Sequence, residues 1–179
     1  MEAMPDEKEL TAYVGVGAED YLKAWRPALK GEDEIGGFNI AAFIFSIFWL
    51  TFRKMYRYGF IWFGTFLGIA VLQDILFIAI LKAPVPWYGM IIVGLPMAAV
   101  VGWYGNRWYF ESASRAIRNI KAEGLSEAET QNQITQQGGT NNLWITLGFI
   151  VLVIVEYLFA IYVPVFIYAI AGGQFPITK

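Results

Sequence analysis

Apolar residues crowd into four blocks along this chain, and the first 37 residues stand apart as a polar tail. Residues 38–52 form an almost unbroken apolar and aromatic run that ends in Arg53, Lys54 and Arg57. Crossing a hydrocarbon core of roughly 30 Å takes about 20 helical residues, so this run reads as a re-entrant or in-plane helix. Asn39, Ser46 and Arg53 recur every seventh position and would draw one narrow polar seam along it. Residues 59–81 are long enough to span, interrupted only by Gln73 and Asp74. A turn at 82–86, with Pro84 and Pro86, precedes a second span at 87–105, where Trp87 and Tyr88 mark an interface. A third span covers 143–170, with room for tilt or a kink near Pro164.

The polar stretches have patterns of their own. Within residues 106–121, Tyr109, Ala113, Ala116, Ile117 and Ile120 share one helical face, with Arg107, Arg115, Arg118 and Lys121 on or near the other. That arrangement suits a helix lying on an anionic leaflet. Gly124 can end it, and Ser126 with Glu129 makes a capping box for a short helix through Gln137. In the tail, Ala18 to Trp25 reads as a short solvated helix stopped or kinked by Pro27, and residues 31–37 as a flexible acidic linker. The expected fold is all-α and polytopic, with residues 1–37 an acidic cytoplasmic tail and 38–179 a helical membrane domain. That domain comprises an interfacial or re-entrant helix (38–57), transmembrane helices 59–81, 87–105 and 143–170, and a cytoplasmic helix and linker (106–142).

Small residues recur at helical spacing on the first two spans: Gly64 and Gly68 on one, Gly94, Ala98 and Gly102 on the other. Such stripes let helix backbones approach, which predicts a packed hairpin. Orientation follows from the bases. If residues 38–52 do not cross, eleven Lys and Arg lie on the cytoplasmic side against Lys82 and Lys179 outside. The positive-inside rule then puts the N-terminus in the cytoplasm of a cell bounded by this inner membrane and the C-terminus outside. Arg53, Lys54, Arg57, Arg107, Arg115, Arg118 and Lys121 are the expected contacts to lipid headgroups.

Composition fits a membrane protein, at 57% hydrophobic and 17% aromatic residues with 16% charged. The first 37 residues carry nine acids against four bases, which argues against nucleic acid as a partner. The acidic start lacks the profile of a signal peptide, leaving insertion to internal spans. Without cysteine or histidine the chain offers no thiol chemistry and no histidine-held metal or haem, and no cofactor is expected. Two acids are stranded in apolar spans, Asp74 and Glu156, both roughly 20 Å deep at the helical rise. They read either as a proton or ion relay, or as protonated hydrogen-bond donors holding helices together. No nucleophile or phosphate-binding loop accompanies them, so an enzyme is not expected.

The sequence FNIAAF at 38–43, Trp49 within FWLTFRKMYRYG, and GNRWY at 105–109 together resemble an uncharacterised bacterial family of small membrane proteins, known only as a domain of unknown function. Ile40 stands where that family usually has tryptophan. Upstream, residues 12–17 with Tyr21, Leu22 and Trp25 resemble the family's lead-in. The resemblance implies the membrane architecture and brings no activity, substrate or cofactor. The expected role is an accessory, scaffold or assembly subunit of a membrane complex, partnered by lipids and by other membrane subunits or itself. The alternative is a homo-oligomeric conductor of protons or small solutes through Asp74 and Glu156.

Overall fold

In the computed structural model, residues 4–32, 35–83, 85–86 and 88–170 are described, and all regular structure among them is helical. In order these are α1 (Glu7–Val14), α2 (Ala18–Leu29), α3 (Ile40–Phe45), α4 (Ile47–Phe52), α5 (Tyr56–Asp74), α6 (Gly89–Ala122), α7 (Glu127–Gln137) and α8 (Asn142–Ile170). A π-helical stretch, Ile75–Ile80, prolongs α5.

The first 37 residues do not behave as a polar tail. Asp6 caps α1 by accepting from Glu9 N at 2.7 Å, while the Glu9 carboxylate accepts from Asp6 N at 3.0 Å. Gly15 and Gly17, at φ 69° and 81°, make the turn into α2, a backbone conformation that costs glycine little. Leu10, Tyr13 and Val14 of α1, with Tyr21, Leu22 and Trp25 of α2, are buried. The helix expected to be solvated is therefore part of a core. The reason lies in its stripe of apolar residues three and four apart, which requires cover whatever the surrounding charge.

That cover is the second half of α6. The helix runs unbroken for 34 residues, about 50 Å at the helical rise, and passes through the expected division at 105–106 without interruption. Its predicted apolar face is real: Tyr109, Ala113, Ile117 and Ile120 are fully buried. They face α1 and α2 rather than a lipid leaflet, and α7 closes the group with Ile134. Ser126 and Glu129 form the expected capping box, in which hydrogen bonding to Ser126 holds the Glu129 carboxyl below its ordinary range.

Residues 38–52 are two helices of six residues each, not one. The break is at Ser46, with φ 42° and ψ −114°, strained for a residue bearing a Cβ. Asn39 caps α3, Ser46 separates the helices and Arg53 ends α4, so the predicted seam marks element boundaries. The split lets the segment serve two neighbours: α3 packs on α6, and α4 packs on α5 and α8.

At this end the molecule is greasy outside. Phe60, Leu72, Ile80, Ile92, Trp103, Phe166 and Ile170 are exposed, whereas at the other end apolar side chains are inside. Among the described residues one helix, Tyr56–Ile80, is long and apolar enough to cross a bilayer, with mean hydropathy 2.1.

Candidate functional site

The two ends of the molecule meet in a joint built from buried polar and aromatic groups. Its hub is Asn106, in the middle of α6 and 8% exposed. The Asn106 amide nitrogen donates to Gly37 O at 3.0 Å and Gly36 O at 3.4 Å, and its side-chain oxygen accepts from Asn39 Nδ2 at 2.8 Å. Its backbone carbonyl accepts from Trp25 Nε1 at 3.0 Å. Asn39 in turn accepts from Ala42 N and donates its own backbone N–H to Gly102 O, both at 2.8 Å. One residue thus fastens α2, through its backbone carbonyl, and the 36–37 segment and the start of α3, through its side chain, to α6.

Beside it lies Arg53, also 8% exposed. Its guanidinium sits 4.6 Å from the centre of the Tyr21 ring, 5.3 Å from Tyr109 and 5.6 Å from Phe52. Its strongest hydrogen-bonding contact is a long one, 3.5 Å to Val14 O at the end of α1, where a helix dipole favours a cation. Among the described residues no carboxylate pairs with it, and its Nε has no partner. Trp49 donates to the Tyr21 hydroxyl at 3.3 Å, and the rings of Tyr21, Trp25 and Trp49 meet Tyr109 edge-on at 5.1, 5.4 and 6.0 Å. Burial raises the Tyr109 hydroxyl pKa, against a smaller lowering by nearby Arg53, so Arg53 faces a neutral phenol and not a phenolate.

The other expected headgroup contacts divide. Lys54 is turned inward: its ammonium donates to Gln136 O at 3.2 Å, Gln137 O at 3.3 Å and Gly138 O, capping the last turn of α7. Arg53 and Lys54 therefore make contacts within the protein, with α1, α2 and the end of α7 packed over them. Arg107 pairs with Glu111 at 3.1 Å and Lys121 with Glu9 at 2.7 Å. Arg57 and Arg115 are exposed and Arg118 is partly so.

The small-residue stripes do not meet. A Cβ built at Gly64, Gly68 or Gly94 would touch nothing within 4 Å, and Ala98 lines a cleft with Ser46 and Met97. α5 and α6 meet elsewhere, Trp108 against Tyr58 and Trp62 and Gly89 against Gln73, while α6 also packs on α3 of the α3–α4 pair. Close backbone approach occurs against that pair, with Gly102 pressed by Phe38 and Phe43, and Gly105 by Ala42 and Trp49 at 3.1–3.2 Å from a Cβ position. Gly68→Leu is accordingly expected to move the thermal midpoint by less than about 2 °C. Gly105→Leu should lower it by about 4–12 °C through overpacking. Thermal unfolding of the two purified variants checks this; a larger loss from Gly68→Leu would restore the hairpin.

Asp74 ends α5 where the helix widens, half-buried and without a hydrogen-bond or ion-pair partner among the described residues. Glu156 falls within α8, and its side chain lies outside those described, as do Pro84 and Trp87.

The residues that do converge come from the stretches singled out in the sequence: Asn39 from FNIAAF, Arg53 after FWLTF, Asn106 and Tyr109 from GNRWY. Residues 31–115 match the family model described as protein of unknown function (DUF2628). The DUF2628 segment runs from the linker through α3, α4, α5 and most of α6, and so supplies those four residues. Tyr21 and Trp25 of α2, outside the segment, complete the joint. No curated protein and no solved structure matches the chain. Sequence reasoning passed over the role of Trp25, Trp49 and Asn106. The signal for Trp25 was the spacing of Tyr21, Leu22 and Trp25; for Asn106, a polar residue amid the apolar run of α6.

Proposed function

We propose that this protein is an integral membrane subunit that acts by assembly: an accessory or scaffold component holding a helical cytoplasmic domain rigidly against its spans. In this reading α5 with its π-helical end, the first half of α6, and α8 cross the inner membrane. The N-terminal domain and α7 lie in the cytoplasm. The length of α8, 29 residues, and the exposed apolar side chains around all three helices support this. So does the excess of bases on one side.

The observation that carries the reading is the joint itself. Asn39, Asn106 and Arg53 are spent on internal contacts, so the chain's distinctive residues fix one domain to another and leave none poised over a substrate. One specific observation favours the conductor instead, namely Asp74, half-buried without a partner among the described residues. Purification in mild detergent, with mass spectrometry of the intact assembly, separates the two. A stoichiometric foreign subunit is the expected result. A pure homo-oligomer whose proton flux in vesicles is abolished by Asp74→Asn would overturn it.

A further inference from the structure

Two clefts flank α4 and join. One, about 250 Å³, lies between α4, α5 and α8; the other, about 220 Å³, reaches towards Gly94 and Met97 on α6. They share Ile47, Phe48, Phe63 and Leu152, and so form one slot. Its walls are hydrocarbon and aromatic. Of the polar groups that line it, the Thr51 hydroxyl donates to Phe48 O at 3.0 Å and the Tyr56 hydroxyl accepts from Asn141 Nδ2 at 3.2 Å, while the buried Trp62 Nε1 has no partner among the described residues. Most of the lining is apolar, so an alkyl chain meets hydrocarbon along nearly all of it, whereas a polar solute would leave most of its surface without a partner.

The slot has a direction. Tyr56 and Trp144, whose rings meet at 6.4 Å, stand at one end, as amphipathic aromatics do at a membrane interface. Next to Tyr56 is Arg57, exposed and with no ion-pair partner among the described residues. No acidic residue lines either cleft. Arg57 lines neither cleft but directly follows Tyr56 in α5, and an unneutralised cation beside the aromatic end of an apolar slot complements a molecule with an anionic head and a hydrocarbon tail.

We propose that this slot seats an acyl chain of an anionic phospholipid, with the lipid phosphate held by Arg57. The inference rests on the reading that α5 and α8 cross the bilayer, and it adds which lipid is bound and where. The test is native mass spectrometry of the protein transferred from vesicles of equal phosphatidylglycerol and phosphatidylcholine with matched chains. Wild type should retain phosphatidylglycerol about fivefold over phosphatidylcholine, the factor that one basic side chain confers at an anionic surface. Arg57→Gln should bring the ratio to about parity while a lipid is still retained. Gly148→Phe should expel both lipids, and a side chain at Gly148 has room, since a Cβ there meets nothing within 4 Å. Arg115→Gln, an exposed cation away from the slot, should change nothing.

Equal retention of both lipids by wild type, or a preference untouched by Arg57→Gln, would overturn the proposal. So would undiminished lipid in a Gly148→Phe variant that keeps its thermal midpoint. A chain that stays soluble without detergent and never enters vesicles would instead defeat the membrane reading beneath it.

Discussion

Asn106→Leu is expected to lower stability by about 3 kcal/mol or more, the largest loss of any single substitution considered. Leucine has the same branched shape and is no smaller, so lost packing contacts are not the cause. The change strips the partner from Asn39 Nδ2, which is part-buried, and from Gly37 O, which belongs to an exposed residue and bears the smaller share of the cost. Each orphaned group costs about 1–3 kcal/mol. At about 2–4 °C per kcal/mol for a chain of this size, the thermal midpoint should fall by about 6–12 °C. Asn39→Leu should cost less, because Gly37 O keeps its bond. Adding Asn39→Leu to Asn106→Leu should cost only the cap bond to Ala42 N, about 1 kcal/mol, since the bond between the two side chains is already gone. Additive losses in that double-mutant cycle, measured by thermal unfolding in detergent, would show that the pair is not coupled.

Features with a local chemical signature were legible in the sequence. The capping box of α7, the extent of α8 and the apolar face of α6 follow from spacing within a few residues. What covers that face was not legible. Leu10, Tyr13, Val14, Ala18, Tyr21, Leu22, Trp25 and Ala28 make a helical stripe, but nine acids in the same stretch suggested a solvated tail. Net charge reports on the exposed side of such helices and says nothing of the buried one. The break at Ser46 left no sign either, since neither glycine nor proline stands there and the strain is imposed by packing on two partners. Nor did the small-residue stripes foretell that α5 and α6 touch through the side chains of Tyr58, Trp62 and Trp108 and of Gln73 at Gly89. The Asn39–Asn106 bond joins positions 67 residues apart, and no periodicity speaks to it. The resemblance had singled out both residues; only the fold showed why they belong together.

Arg53→Lys should be more damaging than Arg53→Met, although lysine keeps the charge. Arg53 is buried among rings with no carboxylate beside it among the described residues, so its charge is stabilised by the faces of Tyr21 and Tyr109 and by the carbonyl end of α1. A guanidinium is flat, weakly hydrated and able to lie over a ring; an ammonium is compact and gives up more hydration on burial. Lysine therefore loses the stacking and keeps the desolvation cost, for an expected loss of about 2–3 kcal/mol. Methionine loses the attraction but also removes the buried charge, and replacement of a buried ion by an apolar side chain of similar volume is often close to neutral. Its expected loss is about 1 kcal/mol. Thermal midpoints should therefore fall in the order wild type, Arg53→Met, Arg53→Lys. If methionine proved the worse substitute, the charge itself would be required at this position, and an anionic partner for Arg53 would have to be sought beyond the chain.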